Sequence, residues 1–219
     1  MISQTEENYL KAIFKIYESE QKAASTNSIA KQMDTSAASV TDMLKRLAEK
    51  KLINYKRYKG VTLTEEGDQM AKMLIRKHRL LEVFLVNKLH FSWDAIHDIA
   101  EQLEHIKSDA LIERLDQYLG FPKFDPHGDP IPDAAGNFTF RKQILLTDLP
   151  MGTEAIIVGV QEHSTPFLQY LNRLALALGV KVEVIESFEY DESLKIRRNG
   201  EQELILSNKV AQNLFVQTQ

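Results

Sequence analysis

Cysteine is absent from the 219 residues, which excludes disulfides and thiolate metal sites and leaves any metal to imidazole, carboxylate, amide, carbonyl or water ligands. No apolar run approaches a membrane span. The opening MISQTEENYLKAIF also lacks the basic region, apolar core and small-residue cleavage site of a secretory signal. A cytoplasmic protein with no membrane partner is expected. There is neither a nucleophile motif nor a phosphate-binding glycine loop, so the pattern does not mark an enzyme. A net positive charge is missing as well: the formal charge is −4. That deficit is uneven, because residues 1–77 carry fourteen Lys/Arg against ten Asp/Glu, and the remainder thirteen against twenty-one. Only the N-terminal third has the sign a DNA surface needs.

What is present is an ordinary globular composition, 43% hydrophobic and 26% charged, enough for a packed core. Tyr9, Leu10, Ile13, Phe14, Ile16 and Tyr17 fall at helical spacing, so the first element is a helix ending near Glu20. Thr26 can cap a short helix through Ile29, Ala30 and Met33. After Asp34-Thr35-Ser36 a second helix buries Val40, Met43, Leu44 and Leu47. Leu52–Lys56 and Val61–Thr64 then form a hairpin with Lys56, Arg57 and Lys59 at its tip, completing a winged helix-turn-helix. A long helix follows from Thr64 to about Lys88, then helices over about 92–106 and 108–119. The stretch between Gly120 and Asn137 concentrates proline, glycine and aspartate and is taken as a linker. From Ile144 onward short β runs appear at 155–160, 180–187, 193–198 and 203–206, with a helix over 167–178 packed on them. The expected fold is mainly α with a small β part: a winged helix-turn-helix over 1–65, a helical domain over 66–122, a linker over 123–143 and an SH3-like β-barrel over 144–219.

Four of the six histidines lie between positions 78 and 105. His78 and Glu82 are four apart, and His97, Glu101, Glu104 and His105 sit at offsets 0, 4, 7 and 8, so each group shares one helix face. A single His–Glu pair at this spacing is ordinary helix surface. Two imidazoles and two carboxylates on one buried face would instead need a partner for their polarity, and a divalent cation is one.

These motifs resemble the diphtheria toxin repressor and manganese transport regulator family. The matching residues are Arg76-Lys77-His78-Arg79-Leu80-Leu81-Glu82, Ile96-His97-Asp98, Glu104-His105 and Ser108-Asp109, with TEENYLKAIFKIYE at the start and PHGDPIP in the linker. The resemblance covers all three modules in order, the last being of the ferrous-transport-associated type. It implies a primary metal site at Asn8, Glu101, Glu104 and His105 and a second at His78, Glu82 and His97, two sites per subunit. Asn8 stands where an aspartate is usual in manganese-type members, and Lys11 where a glutamate can ligate; an ammonium does not coordinate. Iron-type members carry a thiol at the position of Glu101 and a thioether on the first helix. Oxygen in both places favours a harder ion, so Mn²⁺ is expected, with Fe²⁺ second. Glu162 and His163 fall where the C-terminal module of longer members supplies ligands, the alternative being a solvated loop.

The same resemblance implies a repressor of metal-uptake genes acting as a homodimer on palindromic double-stranded operator DNA. Ser36, Ala37, Ala38, Ser39, Thr41, Asp42 and Lys45 occupy the start and exposed face of the recognition helix. Small residues there allow close approach to bases, while Lys45, Lys56, Arg57 and Lys59 would meet phosphates. Trp93, Ile96, Ile99, Leu103, Ile106, Leu111, Ile112 and Leu115 offer apolar surface for a dimer. Two alternatives of other kinds are a hydrolase with a dinuclear metal site and a winged-helix regulator with an organic effector.

Overall fold

The computed structural model describes residues 2–56 and 60–218, in two compact units. The first comprises Met1–His78, Leu103–Asp109 and Pro132–Phe138; the second comprises Arg79–Gln102, Ala110–Ile131 and Thr139–Gln219.

In the first unit, α1 (Gln4–Glu20) starts on a capping box: Ser3 Oγ accepts from Glu6 N at 3.2 Å, and Glu6 Oε2 accepts from Ser3 N at 2.8 Å. Its apolar face, Tyr9, Leu10, Ile13, Phe14 and Ile16, is buried in one cluster with Ile29, Val40, Leu44, Leu47 and Leu52. Ser25, one residue earlier than expected, caps α2 (Thr26–Gln32), and Ser36 caps α3 (Ala37–Glu49). β1 (Ile53–Lys56) pairs antiparallel with β2 (Gly60–Leu63), Lys56 opposite Gly60; Arg57 and Lys59 of the expected wing lie outside the described residues. Thr64 Oγ1 accepts from Gly67 N at 3.2 Å, opening α4 (Glu65–Leu89). Only glycine fits at 67, because a Cβ there would lie 2.0 Å from the Leu52 carbonyl oxygen.

In the second unit α4 continues and is followed by α5 (His97–Leu103) and α6 (Asp109–Tyr118). α5 is shorter than the helix expected over 92–106. Ser92 and Asp94 form a turn, with Ala95 N donating to Ser92 O at 3.0 Å and Asp94 accepting from Gln169 and Asn172, so polar side chains take the place of helical hydrogen bonding. Glu104 and His105 follow the helix in a turn and do not continue its face. Within the stretch taken as a linker several residues pack against the rest of this unit. Asp125 and His127 are buried, Phe124 bridges Pro130, and Ile131 packs with Leu80, Val83 and Ile112.

The C-terminal part of this unit is a six-stranded antiparallel sheet in the order β3-β8-β4-β5-β6-β7. The strands are β3 (Ile144–Leu145), β4 (Glu154–Val160), β5 (Lys181–Ser187), β6 (Leu194–Arg198), β7 (Gln202–Leu206) and β8 (Leu214–Thr218). The expected barrel is not closed: among the described residues β3 and β7 are edges joined by no ladder, and β3 is only two residues long. The core holds Ile157, Val182, Val184, Ile196, Leu206 and Val216 against Phe167, Leu168 and Leu171 of α7 (Thr165–Arg173). α7 begins earlier than expected because Pro166 suits a first turn, and it stops before 178 because Ala175 turns left-handed at φ 49°. A further short helix, α8 (Asn208–Ala211), precedes β8; neither was expected from the sequence.

Candidate metal centre

In the first unit, α1 and the segment 103–109 bring polar groups together that are nearly a hundred residues apart. Glu104 is fully buried. Its Oε2 accepts from His78 Nδ1 at 2.6 Å, and its Oε1 lies 2.5 Å from the ammonium of Lys11. Burial raises the Glu104 carboxyl, but the hydrogen bond from His78 and the charge of Lys11 outweigh it and hold the group below its ordinary value. His105 Nδ1 pairs with Glu7 Oε2 at 2.6 Å. Donating Nδ1–H to that carboxylate leaves the Nε2 lone pair of the neutral ring on the side of Glu104, 3.8 Å from Oε1. Asn8 Oδ1 is buried with no hydrogen-bond partner, the one side-chain atom so placed among the described residues. An unsatisfied buried acceptor costs roughly 1–3 kcal/mol. An imidazole nitrogen, a carboxylate and an orphaned amide oxygen form a donor set that suits a divalent cation.

The second unit holds another cluster. Glu82, Asp125 and His127 are all buried, and one donor atom from each lies within 4.8 Å of the others. His127 Nε2 meets the Trp93 carbonyl at 2.9 Å; a carbonyl only accepts, so Nε2 carries the proton and Nδ1 faces Glu82 Oε2 at 3.7 Å. His97 Nδ1 lies 3.7 Å from the other Glu82 oxygen. Both gaps exceed a hydrogen bond. Burial and the charges of Asp129 and Glu82 push the Asp125 carboxyl up to about 7. Burial lowers His127, but its interactions with Glu82 and Asp125 prevail and push it up to about 9. Asp125 also shapes the loop that presents His127, accepting from His127 N at 2.9 Å and from Asp129 N at 3.0 Å. Gly128, at φ +94°, completes the turn where a Cβ would lie 2.3 Å from the Val158 carbonyl oxygen.

Of the residues expected from the sequence, Asn8, Glu104 and His105 all belong to the first unit, while Glu101 lies in the last turn of α5 in the second. His78 closes the first unit with Nδ1 on Glu104; Glu82 and His97 belong to the second. His163 stacks on His127 with ring centroids 4.9 Å apart, and Glu162 accepts from Ser164 Oγ at 2.5 Å. Asp125, His127 and Glu7 escaped the sequence reading. PHGDPIP was visible, but its turn formers gave no sign of burial.

Of the residues expected to meet DNA, Ser36, Ala37, Ala38, Ser39, Asp42 and Lys45 are exposed along α3, and Thr41 is half-buried with Oγ1 donating to Ala37 O at 2.8 Å. Lys45 pairs with Asp42 at 3.2 Å, which relieves the carboxylate of its unpaired charge. A groove of about 620 Å³ is lined by Ser25, Thr26, Asn27, Thr41, Lys45, Tyr55, Lys56 and Gly60. It joins the start of α2 to the hairpin and offers hydroxyl, amide and ammonium groups to a phosphate backbone.

Residues 1–61 match the model of the iron dependent repressor N-terminal DNA binding domain, residues 64–133 its metal binding and dimerisation domain, and residues 144–218 the FeoA domain. The iron-dependent repressor IdeR of Mycobacterium leprae is 31% identical over 78% of this chain and 77% of its own length. The HTH-type transcriptional regulator MntR of Oceanobacillus iheyensis is 31% identical over 54% of this chain and 80% of its own. The solved structure of a manganese-dependent transcriptional repressor in complex with manganese matches with a TM-score of 0.85 at 33% identity, covering 98% of this chain and all of that one.

Proposed function

The chain belongs to the iron-dependent repressor family of metal-dependent transcriptional regulators, and from that premise we propose that its co-repressor is Mn²⁺, with Fe²⁺ second. Membership of a repressor family removes the hydrolase alternative. The observation that carries the reading is Asn8 Oδ1, a buried oxygen on α1 without a partner. We assign the primary centre to Asn8, Glu104 and His105 of the first unit, all oxygen and nitrogen donors. The second centre takes Glu82 with His97, Asp125 and His127 of the second unit, with Glu162 and His163 as further candidates. The manganese complex among its structural relatives supports the choice of ion.

When bound, the ion supplies positive charge shared by α1 and the segment 103–109. The chain's own residues prepare that junction: Glu7 holds the His105 ring, and His78 holds the Glu104 carboxylate. Fixing α1 in this way restricts the winged helix-turn-helix that packs on it. In a homodimer two recognition helices enter successive major grooves of a palindromic operator ~34 Å apart, so restricted motion raises the fraction of dimers able to bind. By reciprocity, DNA tightens metal binding. Ser36, Ala37, Ala38, Ser39, Thr41 and Asp42 would face the bases, and Lys45 and Lys56, with Arg57 and Lys59, the phosphates. Metal-uptake genes are the proposed targets.

The test pairs Mn²⁺ calorimetry with operator binding. Glu104→Ala and His105→Ala should each remain folded dimers that gain no DNA affinity on adding Mn²⁺; a metal response equal to the parent's would remove them from the primary centre.

A further inference from the structure

Lys11 brings an ammonium into the primary centre. Its side chain is buried on α1, and its ammonium lies 2.5 Å from Glu104 Oε1. We propose that Lys11 is a tethered competitor for the divalent ion: it holds the Glu104 oxygen that the ion needs, and the ion binds by displacing it. The proposal rests on the assignment of the primary centre given above.

The proton positions define the contest. His105 offers its Nε2 lone pair toward Glu104 Oε1, 3.8 Å away, so an ion shared by these two donors requires the oxygen that Lys11 occupies. The other oxygen already accepts from His78 at 2.6 Å. Each carboxylate oxygen has a second lone pair, but an ammonium and a divalent cation in contact with one oxygen repel strongly in a buried setting. The ammonium also has reason to stay in place without the ion. Glu104 is fully buried, and removing one partner of a buried ion pair leaves an uncompensated charge. Lys11 therefore sets the concentration at which the centre fills, while keeping α1 joined to the segment 103–109 before it does.

Three proteins test this by Mn²⁺ calorimetry: the parent, Lys11→Gln and Lys11→Arg, with Glu104→Ala identifying which binding event belongs to the centre. Lys11→Gln keeps an N–H donor for Glu104 but loses the charge; it should bind Mn²⁺ at least about tenfold more tightly, the change ~1.4 kcal/mol produces. Its melting temperature should rise more on adding Mn²⁺ than the parent's does. Lys11→Arg keeps the charge in a form that grips a carboxylate with two donors, so it should bind no more tightly than the parent. Parent-like affinity in Lys11→Gln, or an affinity gain in Lys11→Arg, would overturn the competition. If Glu104→Ala leaves every binding event of the parent unchanged, the assignment of the centre fails, and the proposal fails with it.

Discussion

His127 owes its chemistry to its surroundings. Its interactions with Glu82 and Asp125 keep a proton on a buried ring, and Asp125 beside it also holds its proton more strongly than usual. Both folded-state values are raised, so the stability these groups give the metal-free protein is full at low pH and is lost as pH rises through about 7 for Asp125 and about 9 for His127. An ion at this cluster requires the deprotonated forms, so its affinity should run the opposite way, rising from pH 7 toward 9 with release of protons. Calorimetry in two buffers of different ionisation enthalpy measures that release, and His127→Gln should lessen it. An affinity independent of pH across this window would count against an ion here. Asn8, Glu104 and His105 could be named as candidate ligands through the family resemblance. The Lys11–Glu104 pair was not, because its members lie 93 positions apart and only the fold brings them together.

At the level of elements, local chemistry was the best guide where it was self-contained. Ser3 and Glu6 at the start of α1 form a capping box that follows from neighbours in the sequence, and Lys50 adds an ion pair to Glu6 at 2.7 Å. Ser3→Ala should cost ~1 kcal/mol in a denaturant titration. Burial raises the Glu6 carboxyl, but Lys50 and Ser3 outweigh it and the group is depressed overall, so its contribution is present at neutral pH and is lost as pH falls through its lowered folded value. α5 shows the opposite case. Its hydrophobic pattern continued through 92–106, yet the hydrogen bonds that Asp94 accepts from α7, more than seventy residues away, end the helical register. The hairpin is an element with a prediction of its own. Lys56 is exposed beside the groove that includes Lys45, so Lys56→Ala should weaken operator and random DNA alike and flatten the salt dependence by about one phosphate contact. A loss confined to one base position would instead make Lys56 a reader of sequence.

For the molecule as a whole, the division into a basic DNA-binding third, a helical middle and a β module was visible from charge and periodicity, because each module carries its own pattern. Which apolar residues of the middle helices face a partner was not visible, since a core residue and an interface residue look alike in sequence. The structure separates buried from exposed: Ile96 and Ile112 are buried within the chain, while Leu111 is 46% exposed on α6, in a region matching a dimerisation domain. Leu111→Glu should therefore leave the monomer's core intact and place a charge where the partner subunit packs, at a cost in dimer affinity. Sedimentation at micromolar concentration should show monomer where the parent is dimeric. Full-operator binding should fall toward that of a single half-site, because each recognition helix then enters the groove without its twin ~34 Å away. Metal uptake at Asn8, Glu104 and His105 should persist, since these residues sit in one chain and within one unit. A Leu111→Glu protein that stays dimeric and keeps full operator affinity would place the dimer contact elsewhere than the exposed face of α6.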